Sequence, residues 1–325
     1  MFSWIPSGRG GWTVRLVARR VLALIPVLLL VLFLVMLLVD LQGGSIGQSV
    51  AGEFASPEAV AATTSRLNLD DPLFERFFSY LASAVHGDLG ASWVTERPVG
   101  NTLVDALPVT LSLTLFGLAI ALVLALPLGI VAALTRGRFL DRTITFTSSV
   151  SIAVPEFVSG LVLVVIFALR LSWLPATGYV PFGEDPLRWA EHLLLPGLAL
   201  GIGLTGHLAR QVRAAMIDTL DQDFIRTGRA MGLRRRSIVG KHAGRNAASP
   251  VLTVLGLQAA HLLGGAVIVE RVFALPGYGS VAVEAVLRRD VPVVQGAVLL
   301  TAVLVLLINL IVDISYGYFN PKLRA

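Results

Sequence analysis

Few side chains in this 325-residue sequence are equipped for chemistry. It contains no cysteine, which excludes disulfides, thiolate metal sites and a thiol nucleophile. Its lysines, Lys241 and Lys322, stand in no G-x-x-x-x-G-K-[ST] string, so the chain carries no phosphate-cradling loop of its own. His86, His192, His207, His242 and His261 never form H-E-x-x-H, and no metal site is expected. Gly43-Gly44-Ser45-Ile46-Gly47 matches G-x-S-x-G, but a nucleophile elbow needs a strand before it, and here an apolar run precedes it. No catalytic residue is expected. The more informative polar groups lie inside apolar runs. Glu156 follows Pro155, and a carboxylate at membrane depth is costly unless it faces partners or water. It either lines a pathway, sits near an outer mouth or is neutralised by a partner. Gln258 and His261, three apart, share one helix face and either line the same path or bond between helices. Asn309 and Asp313, four apart near the end of the last run, read as structural.

The elements that must hold these groups are membrane spans. The chain is 55 % hydrophobic and 14 % charged, against about 25 % charged in a soluble domain. About 20 apolar residues cross the hydrocarbon core. The runs Val21–Val39, Ala106–Leu134, Thr143–Leu169, Leu193–Leu208, Val251–Val269 and Val293–Val312 give six transmembrane helices in an all-α integral membrane fold. The first is too long for a signal-peptide core and is read as an uncleaved anchor. Pro155 is expected to kink the third. The fourth is diluted by Gly197, Gly201, Gly203 and Gly206. These are either incidental or, at Gly197 and Gly201, a small-xxx-small seam for a neighbouring helix.

Charge sets direction. Arg9, Arg15, Arg19 and Arg20 precede the first span, and Arg136, Arg138 and Arg142 follow the second. Residues 209–246 carry nine basic side chains against Asp218, Asp221 and Asp223, and the tail carries Lys322 and Arg324. The stretch 40–105 holds Arg66, Arg76 and Arg97 against nine acids. The positive-inside rule therefore places residues 1–20, 209–246 and 314–325 in the cytosol and 40–105 outside. The net charge of +5 thus reflects topology, and no nucleic-acid partner is expected. The outer stretch reads as helical: Ser56-Pro57 opens a short helix. Asp71-Pro72 opens a longer one, along which Leu73, Phe74, Phe77, Phe78, Leu81 and Val85 recur at helical spacing.

Within 209–246, residues 222–233 have the marks of a short helix. Asp221 and Asp223 suit its amino end, and Gly232 the position past its carboxy end, with Leu233 following. Phe224, Gly228 and Met231 fall on one apolar face, and Arg226 and Arg229 on another. Such a helix either rests on the bilayer with its arginines at the headgroups or docks in a protein groove with Phe224 as anchor.

The string Asp223-Phe224-Ile225-Arg226-Thr227-Gly228-Arg229-Ala230-Met231-Gly232-Leu233, followed by Arg-rich residues and Lys241-His242-Ala243-Gly244-Arg245-Asn246, resembles the cytosolic EAA loop of ABC importer permeases. It is most similar to the form found in the oligopeptide, dipeptide and nickel family. Asn68-Leu69-Asp70-Asp71-Pro72, Gly87-Asp88-Leu89-Gly90, Glu270-Arg271-Val272-Phe273, Pro276-Gly277, Gly279, Asn309, Asp313 and Pro321 extend the resemblance from the first span to the tail. Gly228, Met231 and Asn320-Pro321-Lys322 depart from the usual family residues, and Gly228 costs about 1 kcal/mol inside a helix.

The resemblance implies the type I ABC importer fold, with a permease core at 106–313 and the extracytoplasmic helical insertion of a B-type subunit after span one. It also implies a C-type second permease subunit, two ATP-binding subunits holding ATP and magnesium, and an extracytoplasmic binding protein that delivers peptides or a similar solute. Residues 222–233 become the coupling helix that docks on an ATPase. The multi-pass chain is then expected in the cell membrane, among lipid. The competing readings are a secondary transporter or channel that works without an ATPase and, more weakly, a membrane-embedded enzyme.

Overall fold

A chain this apolar must satisfy its backbone hydrogen bonds internally, and helices do so within each segment. The computed structural model describes residues 25–38, 46–52, 54–67 and 69–319, with 22 and 41, and gives only the backbone at 46, 49, 260 and 312–319. The expected amino end, most of the G-x-S-x-G string, Asn68, the Asp313 side chain and the tail from 320 lie outside these residues. Among the described residues there is no strand, only an isolated bridge between Ala91 and Pro98.

The helices are α1 (Ile25–Leu38), α2 (Ile46–Ala51), α3 (Pro57–Arg66), α4 (Leu73–Val85), α5 (Val99–Leu134), α6 (Phe139–Ala153) and α7 (Glu156–Leu163). They continue with α8 (Pro186–Leu220), α9 (Asp223–Ala230), α10 (Arg235–Ser237), α11 (Gly244–Val272), α12 (Tyr278–Leu287) and α13 (Val291–Phe319). Wider π-helical turns follow α7, over Val164–Arg170, and α10, over Ile238–Ala243. Three unbroken helices, Val99–Leu134, Pro186–Leu220 and Val291–Ile311, are long and apolar enough to span a membrane. Two bent pairs, Phe139–Ala153 with Glu156–Arg170 and Arg235–Ala259 with His261–Val272, raise the number to five if each is one span. The run Thr143–Leu169, expected to kink at Pro155, is broken there by 102°. Val154 is extended ahead of Pro155, as the proline ring demands, and α7 restarts at Glu156. The second expected span begins earlier than hydropathy suggested, because Val99–Asp105, assigned above to the outer stretch, are already helical turns of α5.

Two compact units divide the chain: residues 1–108 with 277–307, and 109–276 with 308–325. In the first, Leu32 and Met36 of α1 pack on Phe77 of α4. Ser56 caps α3 by accepting the Ala59 N–H. Asp71 does not cap α4. Pro72 holds the cap position and its carbonyl takes the Glu75 N–H, which leaves the Asp71 carboxylate exposed. Of the six apolar residues expected along α4, Phe77 is buried, whereas Phe74, Phe78 and Val85 stay exposed.

In the second unit α5, α8 and α11 share a core built on Leu113, Leu193, Leu200, Leu208, Ala266 and Phe273. The glycines that weakened the fourth span make a seam. A Cβ on Gly201 would lie 2.8 Å from the Gly117 carbonyl oxygen of α5, and one on Gly197 the same distance from the Phe116 ring. On another side of α8, a Cβ on Gly206 would lie 2.6 Å from the Ser148 carbonyl oxygen of α6. Hydropathy scored these residues as weakness, while packing uses them for close backbone approach. Nearby, Arg213 of α8 makes a two-pronged bond to Asp141 of α6, its Nη2 lying 2.8 Å from Oδ2.

Candidate functional site

Short helices are marginal alone, and α9 is held by its surroundings. Its carboxy end is a complete Schellman turn: Leu233 N–H bonds to the Gly228 carbonyl and Gly232 N–H to that of Arg229, with Gly232 at φ +78°. The expected glycine stop is found there. The expected apolar face is not. Ile225, 1 % exposed, and Gly228 face inward, and Ile225 joins Val212, Met216, Ile238, Ala243 and Ala247. A Cβ on Gly228 would meet Leu233 at 3.2 Å, so the small residue accommodates its own chain and not a partner. Phe224, at 42 % exposure, and Met231, at 76 %, face outward. The stripe splits because the segment from Arg235 folds back on the Ile225 side, which a linear pattern does not reveal.

The acids also part company. Asp221 ends α8 and pairs with Arg136 at 2.9 Å, whereas Asp223 lies in the first turn of α9 and accepts from Arg226. Thr227, Arg229 and Ala230 are exposed along with Arg226. Beside α9 a depression of about 590 Å³ is lined by Leu134, Leu220, Arg229, Leu233, Arg235 and Val239, among others. A helix braced from within, with an aromatic ring, a thioether and guanidinium groups outward, offers a rigid knob for another protein.

The second candidate site brings together all three pathway candidates. Glu156 from the start of α7 and Gln258 and His261 from α11 line a cavity of about 280 Å³, with Ile152 of α6 and Leu200 and Leu204 of α8. The break at Pro155 puts the carboxylate in the first turn of α7, where unpaired N–H groups favour negative charge. Gly265 leaves room for it: a Cβ there would stand 3.4 Å from Glu156 Oε1. His207 of α8 lines the same cavity and was missed. Its signal was available, a lone imidazole in a glycine-rich apolar run. Among the described residues none of these four side chains has a hydrogen-bond partner, and no three His, Asp or Glu side chains are grouped to hold a metal ion. The cavity is a polar wall suited to water or a passing solute.

Comparison with known proteins bears on the family and the fold. The family described as "Binding-protein-dependent transport system inner membrane component" matches residues 125–325, and its companion amino-terminal family matches 13–114. A Brucella abortus (strain 2308) relative bearing the name of a peptide transport system permease is 40 % identical over 309 residues, 95 % of this chain and 98 % of that one. A glutathione transport system permease protein of Escherichia coli (strain K12) is 39 % identical with the same coverage. Among solved structures, a chain of the inward-facing MetNI methionine ABC transporter aligns with TM-score 0.56 and 21 % identity. The alignment covers 67 % of this chain and 96 % of that one, and it speaks to the fold.

Proposed function

The chain belongs to the binding-protein-dependent transport system inner membrane component family, and from that membership we infer that it is one permease subunit of an ATP-driven importer. ATP is hydrolysed on separate subunits in such an arrangement. The observation that carries the reading is α9, a short helix braced from behind by Ile225 while Phe224 and Met231 face outward. We assign it the docking contact with an ATP-binding subunit, which carries ATP and magnesium. A C-type second permease subunit would complete the pathway, a second ATP-binding subunit would match the first, and an extracytoplasmic binding protein would deliver the solute. The relatives' names point to a peptide-like solute, glutathione being itself a peptide.

In this reading the first span, around α1, completes six. Residues 209–246 and both ends lie in the cytosol, and 40–105 lie outside. The expected result for a single cysteine placed at Ser65, in a chain with no native cysteine, is labelling by an impermeant maleimide from outside only. Labelling from the cytosolic side alone reverses the assignment.

The cavity of Glu156, His207, Gln258 and His261 forms part of the translocation wall. Glu156→Gln keeps the shape and removes the charge. In proteoliposomes holding the assembled transporter it lowers uptake about ten-fold, one charge-assisted contact being worth about 1.5–3 kcal/mol, with assembly unchanged. Unchanged rate and unchanged solute preference would place the path elsewhere.

A further inference from the structure

The first unit contains a second cavity, separate from the translocation wall. It measures about 470 Å³, within the usual range for small-molecule sites, and is walled by residues of α1, α4, the 89–93 turn and the start of α13. We propose that it binds a small organic cation carrying an amide, such as an amino-acid amide or the amino end of a short peptide.

Several observations carry this. Gln295 of α13 is 4 % exposed and lines the cavity, and among the described residues nothing hydrogen-bonds to it. A buried primary amide left open to a cavity offers one acceptor and two donors, the complement of another amide. Tyr80 lines the same space, and its hydroxyl is buried and without a partner. Burial pushes this phenol up to about 12, so it keeps its proton and can donate. Asp71 and Glu75 stand in the wall as exposed carboxylates with no described ion pair, Asp71 having been released from helix capping. Arg76 is the basic residue among the described lining. With nine acids against three arginines over 40–105, the field favours a cation. Trp93 and Tyr80 add aromatic faces for an ammonium group.

The wall is built and not incidental. Asp290, buried, accepts from the Ser92 hydroxyl and, at 3.0 Å, from the Trp93 N–H. It is presented by the end of α12, where Arg289 at φ +55° lets the Asp290 N–H bond back to the Ala285 carbonyl. That pair of bonds pins the backbone of Trp93 beside the cavity.

The test is equilibrium dialysis of the assembled transporter in nanodiscs against radiolabelled leucinamide. Expected is saturable binding that N-acetylleucinamide, which lacks the charge, competes for about ten-fold less well. Asp71→Asn/Glu75→Gln, two isosteric changes at exposed positions, weakens it about ten-fold. Gln295→Met weakens it as well. Glu156→Gln leaves it unchanged, which separates this site from the translocation cavity whatever the transported solute. No saturable binding, equal competition by the acetylated probe, an unaffected double variant, or loss in Glu156→Gln would each overturn the proposal.

Discussion

With Phe224 replaced by alanine, transport-coupled ATP hydrolysis in the assembled complex falls about ten-fold or more, while the chain still inserts and folds. Truncating an aromatic anchor at an interface typically costs about 2 kcal/mol or more, and about 1.4 kcal/mol is a factor of ten. Phe224 is the residue to choose because it faces outward, whereas its neighbour Ile225 is buried in the chain's own core. Ile225→Ala serves as the contrast. It removes buried volume worth about 2–5 kcal/mol and lowers the yield of folded permease, instead of uncoupling a folded one. Reversing charge with Arg226→Glu keeps the fold, since the Arg226–Asp223 pair is exposed, and weakens the ATPase contact. Normal hydrolysis and uptake in both Phe224→Ala and Arg226→Glu would move the docking role to another segment.

The second large effect concerns stability. Asp141→Ala leaves the Arg213 guanidinium without its carboxylate and the Gly137 N–H without its acceptor. The Asp141 side chain is 5 % exposed and that of Arg213 30 %. The cost is therefore about 3 kcal/mol, the low end for breaking a buried ion pair. Asp141→Ala/Arg213→Met removes both charges and recovers much of the loss, because burying an unmatched charge costs more than the pair contributes. The measurement is the apparent melting midpoint of the detergent-solubilised complex. A single variant as stable as the double, or as the unaltered chain, would rule out the pair as a clamp between α6 and α8.

The extent to which these sites could be read beforehand differs by the kind of signal. The stop at Gly232 was legible because a left-handed turn selects glycine locally, and the break at Pro155 because a proline ring dictates the residue before it. Glu156, Gln258 and His261 stood out as polar residues among apolar ones, and they do share a cavity. The face of α9 was misread because what covers Ile225 arrives from residues 212–247, and periodicity cannot see a fold-back. Asp141 and Arg213 lie 72 positions apart, and Ser92 and Asp290 lie 198 apart. Neither pairing leaves a mark on local pattern. The glycines of α8 were visible and the seam was one of two readings left open, since hydropathy measures comfort in lipid and says nothing of how closely two backbones approach.

That seam has a mechanical consequence. Where Gly117 meets Gly201 and the Gly197 carbonyl, main chain faces main chain, which has no rotamers to change, and the Phe116, Ile120 and Leu200 side chains pack around it. A joint made of side chains can slip from one packing to another by flipping torsions. A joint made of backbone either holds or parts. α5 and α8 are therefore welded here, and any stroke delivered by nucleotide turnover must bend the protein at softer places. The chief candidate is the elbow at Val154–Pro155, where the helix axis is already broken and Glu156 stands on the arm that would swing.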